Sequence, residues 1–130
     1  HGTVIFGTTG EFSSFSTHDR IQYASHVLRT SHKLDRSGQF KHIVSTGAPN
    51  LSETIQLTSA AFDHGADAVM IPPPYYFKGI SPTGMTQFFK QVLCYGVPKD
   101  GRVILYHFPQ MHGFPIPHEV IRELTNEFPS

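Results

Sequence analysis

The sequence predicts an α/β fold of parallel strands, each followed by a helix. Two observations carry this expectation. Four short runs rich in Val and Ile alternate with amphipathic helical patterns along the 130 residues. Gly- or Pro-rich loops follow the runs at 8–16, 47–52, 72–81 and 109–117. These loops are longer than plain connections require, so the C-terminal ends of the strands are the expected working face.

The strand-like runs are Gly2–Phe6, His42–Thr46, Asp67–Pro72 and Arg102–Phe108, and they read as strands buried on both faces. The first helix is expected to open near Ser16, with Asp19 as a variant capping box, and to bury Ile21, Ala24 and Leu28. The second starts near Ser52-Glu53, carries Ile55, Leu57, Ala60 and Ala61, and ends at Gly65. In the third, Ser81 caps and Pro82 takes the first helical position. Its Met85, Phe88, Phe89, Val92 and Leu93 form one apolar stripe for packing on the sheet. The fourth begins at Pro117 and aligns Val120, Ile121, Leu124 and Phe128.

Composition narrows the function. Formal net charge is +0 with histidines neutral, and the lysines are scattered, which argues against a nucleic-acid or membrane-surface partner. No apolar run approaches the roughly 20 residues of a membrane-spanning helix. The lone Cys94 excludes an internal disulfide, fits a reducing compartment, and reads as a small buried or half-buried filler. Nine histidines invite a metal reading, but no helical His-x-x-x-His or His-Glu-x-x-His pair occurs, so no metal is expected. His18, His26, His32, His64 and His118 read as solvated helix residues.

Four βα units permit either a doubly wound sheet or half of a closed barrel, since a full barrel needs about 250 residues. His1-Gly2 leads straight into a strand and Phe128-Pro129 resembles a turn before another, so residues 1–130 are expected to be an internal part of one larger domain. Half a barrel would leave two unpaired edges.

Chemistry concentrates in four segments in order: Gly7-Thr8-Thr9-Gly10-Glu11, Ser45-Thr46-Gly47-Ala48, Pro73-Pro74-Tyr75-Tyr76 and Leu105-Tyr106-His107-Phe108-Pro109. Together they resemble the dihydrodipicolinate synthase / N-acetylneuraminate lyase family, class I pyruvate-dependent aldolases on a TIM (β/α)8 barrel. The resemblance covers the whole chain and places it over roughly strands 2–5 and their helices. It implies a cytoplasmic carbon–carbon lyase that acts on pyruvate or another 2-oxo acid through a lysine Schiff base, without a cofactor. Tyr106 would be the catalytic tyrosine, hydrogen-bonded by Thr8. Thr9, with Gly7 and Gly10 around it, would hold the substrate carboxylate. Tyr76 would cross a tight dimer interface to complete the proton relay, within a homo-oligomer that is a dimer or tetramer. Such chemistry needs an anion cradle, a nucleophilic amine and a proton relay.

Two departures stand out. The family's Schiff-base lysine lies on the sixth strand, beyond residue 130, and Lys78, in a loop after Tyr76-Phe77, is no substitute. Dihydrodipicolinate-forming members carry an arginine shortly after the strand-five tyrosine, where this chain has Met111. A thioether forms no charge-assisted hydrogen bond with a carboxylate. This favours a lyase with a different second substrate, for which His107 and Gln110 are candidate hydroxyl contacts. Three alternatives stay open: dihydrodipicolinate synthase itself, a family member that binds without catalysis, and an unrelated phosphate-binding barrel.

Overall fold

The structure is a computed structural model and describes residues 1–35 and 37–129. Four strands, β1 (Gly2–Ile5), β2 (Lys41–Ser45), β3 (Ala68–Ile71) and β4 (Val103–Leu105), form one sheet in the order β1-β2-β3-β4, every pair parallel. The helices are α1 (Thr17–Leu34), α2 (Leu51–Asp63), α3 (Pro82–Gly96), α4 (Pro109–His112) and α5 (His118–Glu127). A doubly wound sheet reverses its strand order at a switch point. Here the order never reverses, and α1 packs on α2, α2 on α3 and α3 on α5 as a continuous outer layer. That is the winding of a barrel.

The strand alternation divides the two faces of the sheet. Ile5, Val44, Val69, Ile71, Val103 and Leu105 meet the helices, where Leu28, Ala61, Met85, Phe89, Val92, Val120 and Leu124 complete the core. Val4 and Ile104, one position off that set, are 46% and 42% exposed on the concave face. Burial on both faces therefore holds for β2 and β3 and fails at the two edges.

Local chemistry explains the helix starts. Ser16 accepts the Asp19 amide at 3.1 Å and its hydroxyl donates to the Asp19 carboxylate at 2.6 Å. Ser81 accepts from the Gly84 amide at 3.1 Å, with Pro82 following. The cap of α2 is Asn50 rather than a residue near Ser52, because the Asn50 side chain accepts from the Glu53 amide at 2.8 Å. The buried face of α2 also contains Thr54 and Thr58.

Other expectations need correction. β1 stops at Ile5, because Phe6 takes φ 59°, a left-handed value that strains a non-glycine residue by about 1–2 kcal/mol. The 109–117 loop contains the single turn α4, closed by Gly113 at φ 86°. Cys94 is exposed on α3 instead of filling space. His64 is half-buried, with its Nδ1 2.6 Å from the Ala60 carbonyl. Among the described residues, no helix is long and apolar enough to cross a membrane.

The loops at the C-terminal ends of the strands are held by buried polar contacts. Thr58 donates to Thr46 at 2.8 Å, with both side chains fully buried, and Thr54 accepts the Ala48 amide at 3.2 Å. A Cβ on Gly47 would lie 2.1 Å from the Pro72 ring, so the ends of β2 and β3 meet only because residue 47 is glycine.

Candidate active site

The Phe6 turn redirects the chain after β1 into a 3₁₀ turn over Thr8–Gly10. The turn closes with Gly10 N–H to the Gly7 carbonyl at 3.0 Å and Glu11 N–H to Thr8 at 3.1 Å. The Thr8 and Thr9 amides precede the first of these bonds. Thr9 and Gly10 are exposed there, and Gly7 and Thr8 are half-buried.

At the other edge, Tyr106 extends β4 by donating its amide to the Ile71 carbonyl at 2.8 Å. Its phenol oxygen lies 2.9 Å from Thr8 Oγ1 across 98 residues of sequence. On a flat sheet, strands three places apart are separated by about 14 Å. The hydrogen bond therefore depends on the sheet curving so that its two edges approach at the mouth. Thr8 and Tyr106 thus lie in the hydrogen-bonding contact that the family resemblance implies.

The remaining predicted residues divide. Tyr76 is 66% exposed with its ring edge against Phe77, outside the Thr8–Tyr106 hydrogen bond. His107 is exposed, and its Nδ1 accepts the Ile116 amide at 3.3 Å, which commits one ring nitrogen to holding the loop. Gln110 and Met111 lie exposed on α4. Ser45, Thr46, Gly47 and Ala48 are buried and serve as scaffold. Lys78 is exposed and donates to the carbonyls of Tyr75 at 2.8 Å and His112 at 3.5 Å, clasping two mouth loops together.

Two residues that carry the mouth were not anticipated. Arg20, buried on α1, donates from Nη1 to the Gly47 carbonyl at 2.7 Å and from Nη2 to Ser45 at 2.8 Å. Its guanidinium lies over the Phe6 and Phe12 rings at 5.6 and 5.3 Å. Burial lowers its pKa to about 10, so it stays charged at neutral pH. Burial also pushes the Tyr75 phenol up, against the pull of Arg20. An arginine in a helix reads as solvated, and nothing in its spacing marked this one as buried.

His112 is the second. It is 2% exposed, its ring stands edge-on to Tyr106 at 5.1 Å, and neither ring nitrogen has a hydrogen-bond partner among the described residues. Burial lowers its pKa below the ordinary 6.5, with His107 and Lys78 acting in the same direction. The unfolded chain takes up this proton near 6.5 and the folded chain only at lower pH. The neutral ring's contribution to stability is thus complete above about 6.5 and is lost as pH falls through the lowered folded value. Thermal melts from about pH 7.5 to about pH 5 are expected to show Tm falling with acid, less steeply in His112→Met. Equal slopes would contradict this.

Residues 1–130, the whole chain, match the dihydrodipicolinate synthetase family. The chain belongs to that family. An uncharacterized DapA-like lyase of Chloroflexus aurantiacus is 40% identical over 121 residues, which is 93% of this chain and 38% of the relative. The 4-hydroxy-tetrahydrodipicolinate synthase of Bacillus subtilis is 35% identical over 106 residues, 82% of this chain and 33% of the relative. YagE, a prophage protein of the dihydrodipicolinic acid synthase family from Escherichia coli solved with pyruvate, has a TM-score of 0.83 at 28% identity. That match covers 97% of this chain and 39% of YagE. The chain thus spans a third to two fifths of these relatives, and β1–β4 are consecutive strands of a TIM barrel.

Proposed function

We propose that the protein carrying this chain is a class I lyase or aldolase that forms or cleaves a carbon–carbon bond next to a 2-oxo acid such as pyruvate. The observation that carries this reading is the 2.9 Å contact between Thr8 and Tyr106 at the mouth. A phenol hydrogen-bonded to a hydroxyl can pass a proton to or from a carbon acid held beside it. Thr9, flanked by Gly7 and Gly10, holds the 2-oxo carboxylate through its amide and hydroxyl. A lysine outside these 130 residues supplies the amine, and Tyr76 of a second subunit completes the relay across a dimer or tetramer interface. The chain is an internal part of one barrel domain, whose other strands cover Val4 and Ile104.

Met111 bears on the choice of second substrate. It is 55% exposed at the mouth and offers no charge to a second carboxylate. We therefore favour an aldehyde partner without a carboxylate at that place, with Gln110 and the second ring nitrogen of His107 as its hydroxyl contacts. The similarity to a named 4-hydroxy-tetrahydrodipicolinate synthase supports the rival reading. Assay of the full-length protein with pyruvate and aspartate semialdehyde separates the two, and rapid condensation would overturn the preference.

Borohydride reduction with pyruvate tests the shared chemistry. The expected result is one lysine per chain carrying the mass of a reduced pyruvate adduct. An unlabelled protein would overturn the class I reading in favour of a family member that binds without catalysis.

A further inference from the structure

Among the described residues, one cluster of imidazole and carboxylate groups has metal-ligand spacing, and it lies at the end of the sheet opposite the mouth. It joins His32 in the last turn of α1, His42 at the start of β2 and Asp67 just before β3. Their ligand atoms all lie within 4.8 Å of one another. We propose that these three side chains form a binding site for a divalent transition-metal ion of the Zn2+ class.

The argument starts from His42. Its ring is fully buried, and its Nδ1 has no hydrogen-bond partner among the described residues. Its Nε2 is 2.6 Å from Ser31 Oγ. Where Nε2 carries the proton it donates to Ser31, and Nδ1 presents a bare lone pair. Where the serine donates instead, the Nδ1 proton faces Asp67 Oδ2 at 3.7 Å, too far for a hydrogen bond. Either tautomer leaves a buried nitrogen unsatisfied beside a carboxylate. A divalent cation satisfies the lone pair and the carboxylate together, and Ser31 then orients the ligand ring as an outer-shell acceptor.

Distances and chemistry agree with such an ion. Zinc takes imidazole nitrogen and carboxylate oxygen at about 2.0–2.2 Å, which puts neighbouring donors of a tetrahedral site about 3.4 Å apart. The 3.7 Å between His42 and Asp67 is already close to that. The His32 ring packs edge-on to His42 at 5.1 Å and is exposed, so a rotamer change can bring it in. Lys41 holds Asp67 Oδ1 at 2.8 Å, and Oδ2, which also accepts the His42 amide, keeps a lone pair for the metal. Water takes the fourth position. The nearby Lys41 ammonium weakens the site without blocking it.

No helical His pair encodes this site, since each ligand comes from a different element. Bound metal would fasten the end of α1 to the starts of β2 and β3. The test is a Co2+ titration of the untagged, chelator-stripped full-length protein, followed by visible absorption. Intense tetrahedral bands should saturate at one Co2+ per chain and be competed away by Zn2+. The exposed His32→Ala change should abolish the bands, and Ser31→Ala should weaken affinity about 10- to 100-fold. A spectrum no stronger than that of the aqua ion would overturn the proposal, as would bands that His32→Ala leaves unchanged. These readouts need no turnover, so they stand apart from the proposed activity.

Discussion

Replacing Tyr106 with phenylalanine is expected to lower turnover of the 2-oxo acid about 100- to 10,000-fold, the usual contribution of a positioned acid or base. The effect should fall on kcat, because the substrate carboxylate is assigned to Thr9 and its neighbouring glycines. The phenyl ring keeps the packing against His112 and Phe108, at 5.1 and 5.9 Å, so the fold should survive. Only the 2.9 Å contact to Thr8 disappears. Thr8→Val removes the same contact from the other side and should produce a smaller loss, since the phenol itself remains. Steady-state kinetics of the two variants, with the double variant closing the cycle, measure their coupling. Additive effects would show that the hydroxyls act separately.

The second large effect is expected at Arg20. Arg20→Met keeps the apolar stem beside Phe6 and Phe12 and removes both bonds, to the Ser45 and Gly47 carbonyls. Two buried carbonyls lose their partner, and each such loss costs about 1–3 kcal/mol. Relief from burying a cation offsets part of that. The net destabilisation is expected to be about 2–4 kcal/mol. It should appear as a lower urea midpoint at an unchanged m-value. Arg20→Lys should recover little of it, because one ammonium cannot reproduce the planar fork that reaches both carbonyls. A midpoint within error of the wild type would mean that the loop after β2 holds itself.

The contrast between Arg20 and the strands shows what could be read from this sequence. β2 and β3 were legible because Ile43-Val44 and Ala68-Val69-Met70-Ile71 leave no room for a polar face. Ser81-Pro82 fixed the start of α3 by local chemistry alone. Tertiary chemistry was hidden in proportion to its range. Asn50 capped α2 ahead of an equally plausible Ser52 because the choice depends on how the chain leaves β2. α4 is a single turn, too short to show a period. Phe6 reads as the last residue of a strand, and its φ of 59° comes from the turn that delivers Thr8.

Of the candidate site, Thr8 and Tyr106 are legible only through the order of four motifs, since no local pattern links residues 98 apart. Nothing in Met111-His112-Gly113 shows that the imidazole turns inward against Tyr106. The same blindness concealed the His32, His42 and Asp67 cluster, whose members come together only when α1, β2 and β3 dock. Arg20, His42 and His112 are polar residues that only the tertiary fold buries. In this chain they hold the mouth loops and the base of the barrel.

In the proposed reaction the Tyr106 phenol, held by Thr8, moves the proton at the carbon next to the 2-oxo group. Exchange of the pyruvate methyl protons for deuterium, followed by proton NMR in D2O with full-length protein, tests it most directly. Wild-type protein should exchange them, whereas Tyr106→Phe should still form the borohydride-trapped lysine adduct yet exchange at the buffer rate. Exchange in Tyr106→Phe as fast as in the wild type would contradict the account.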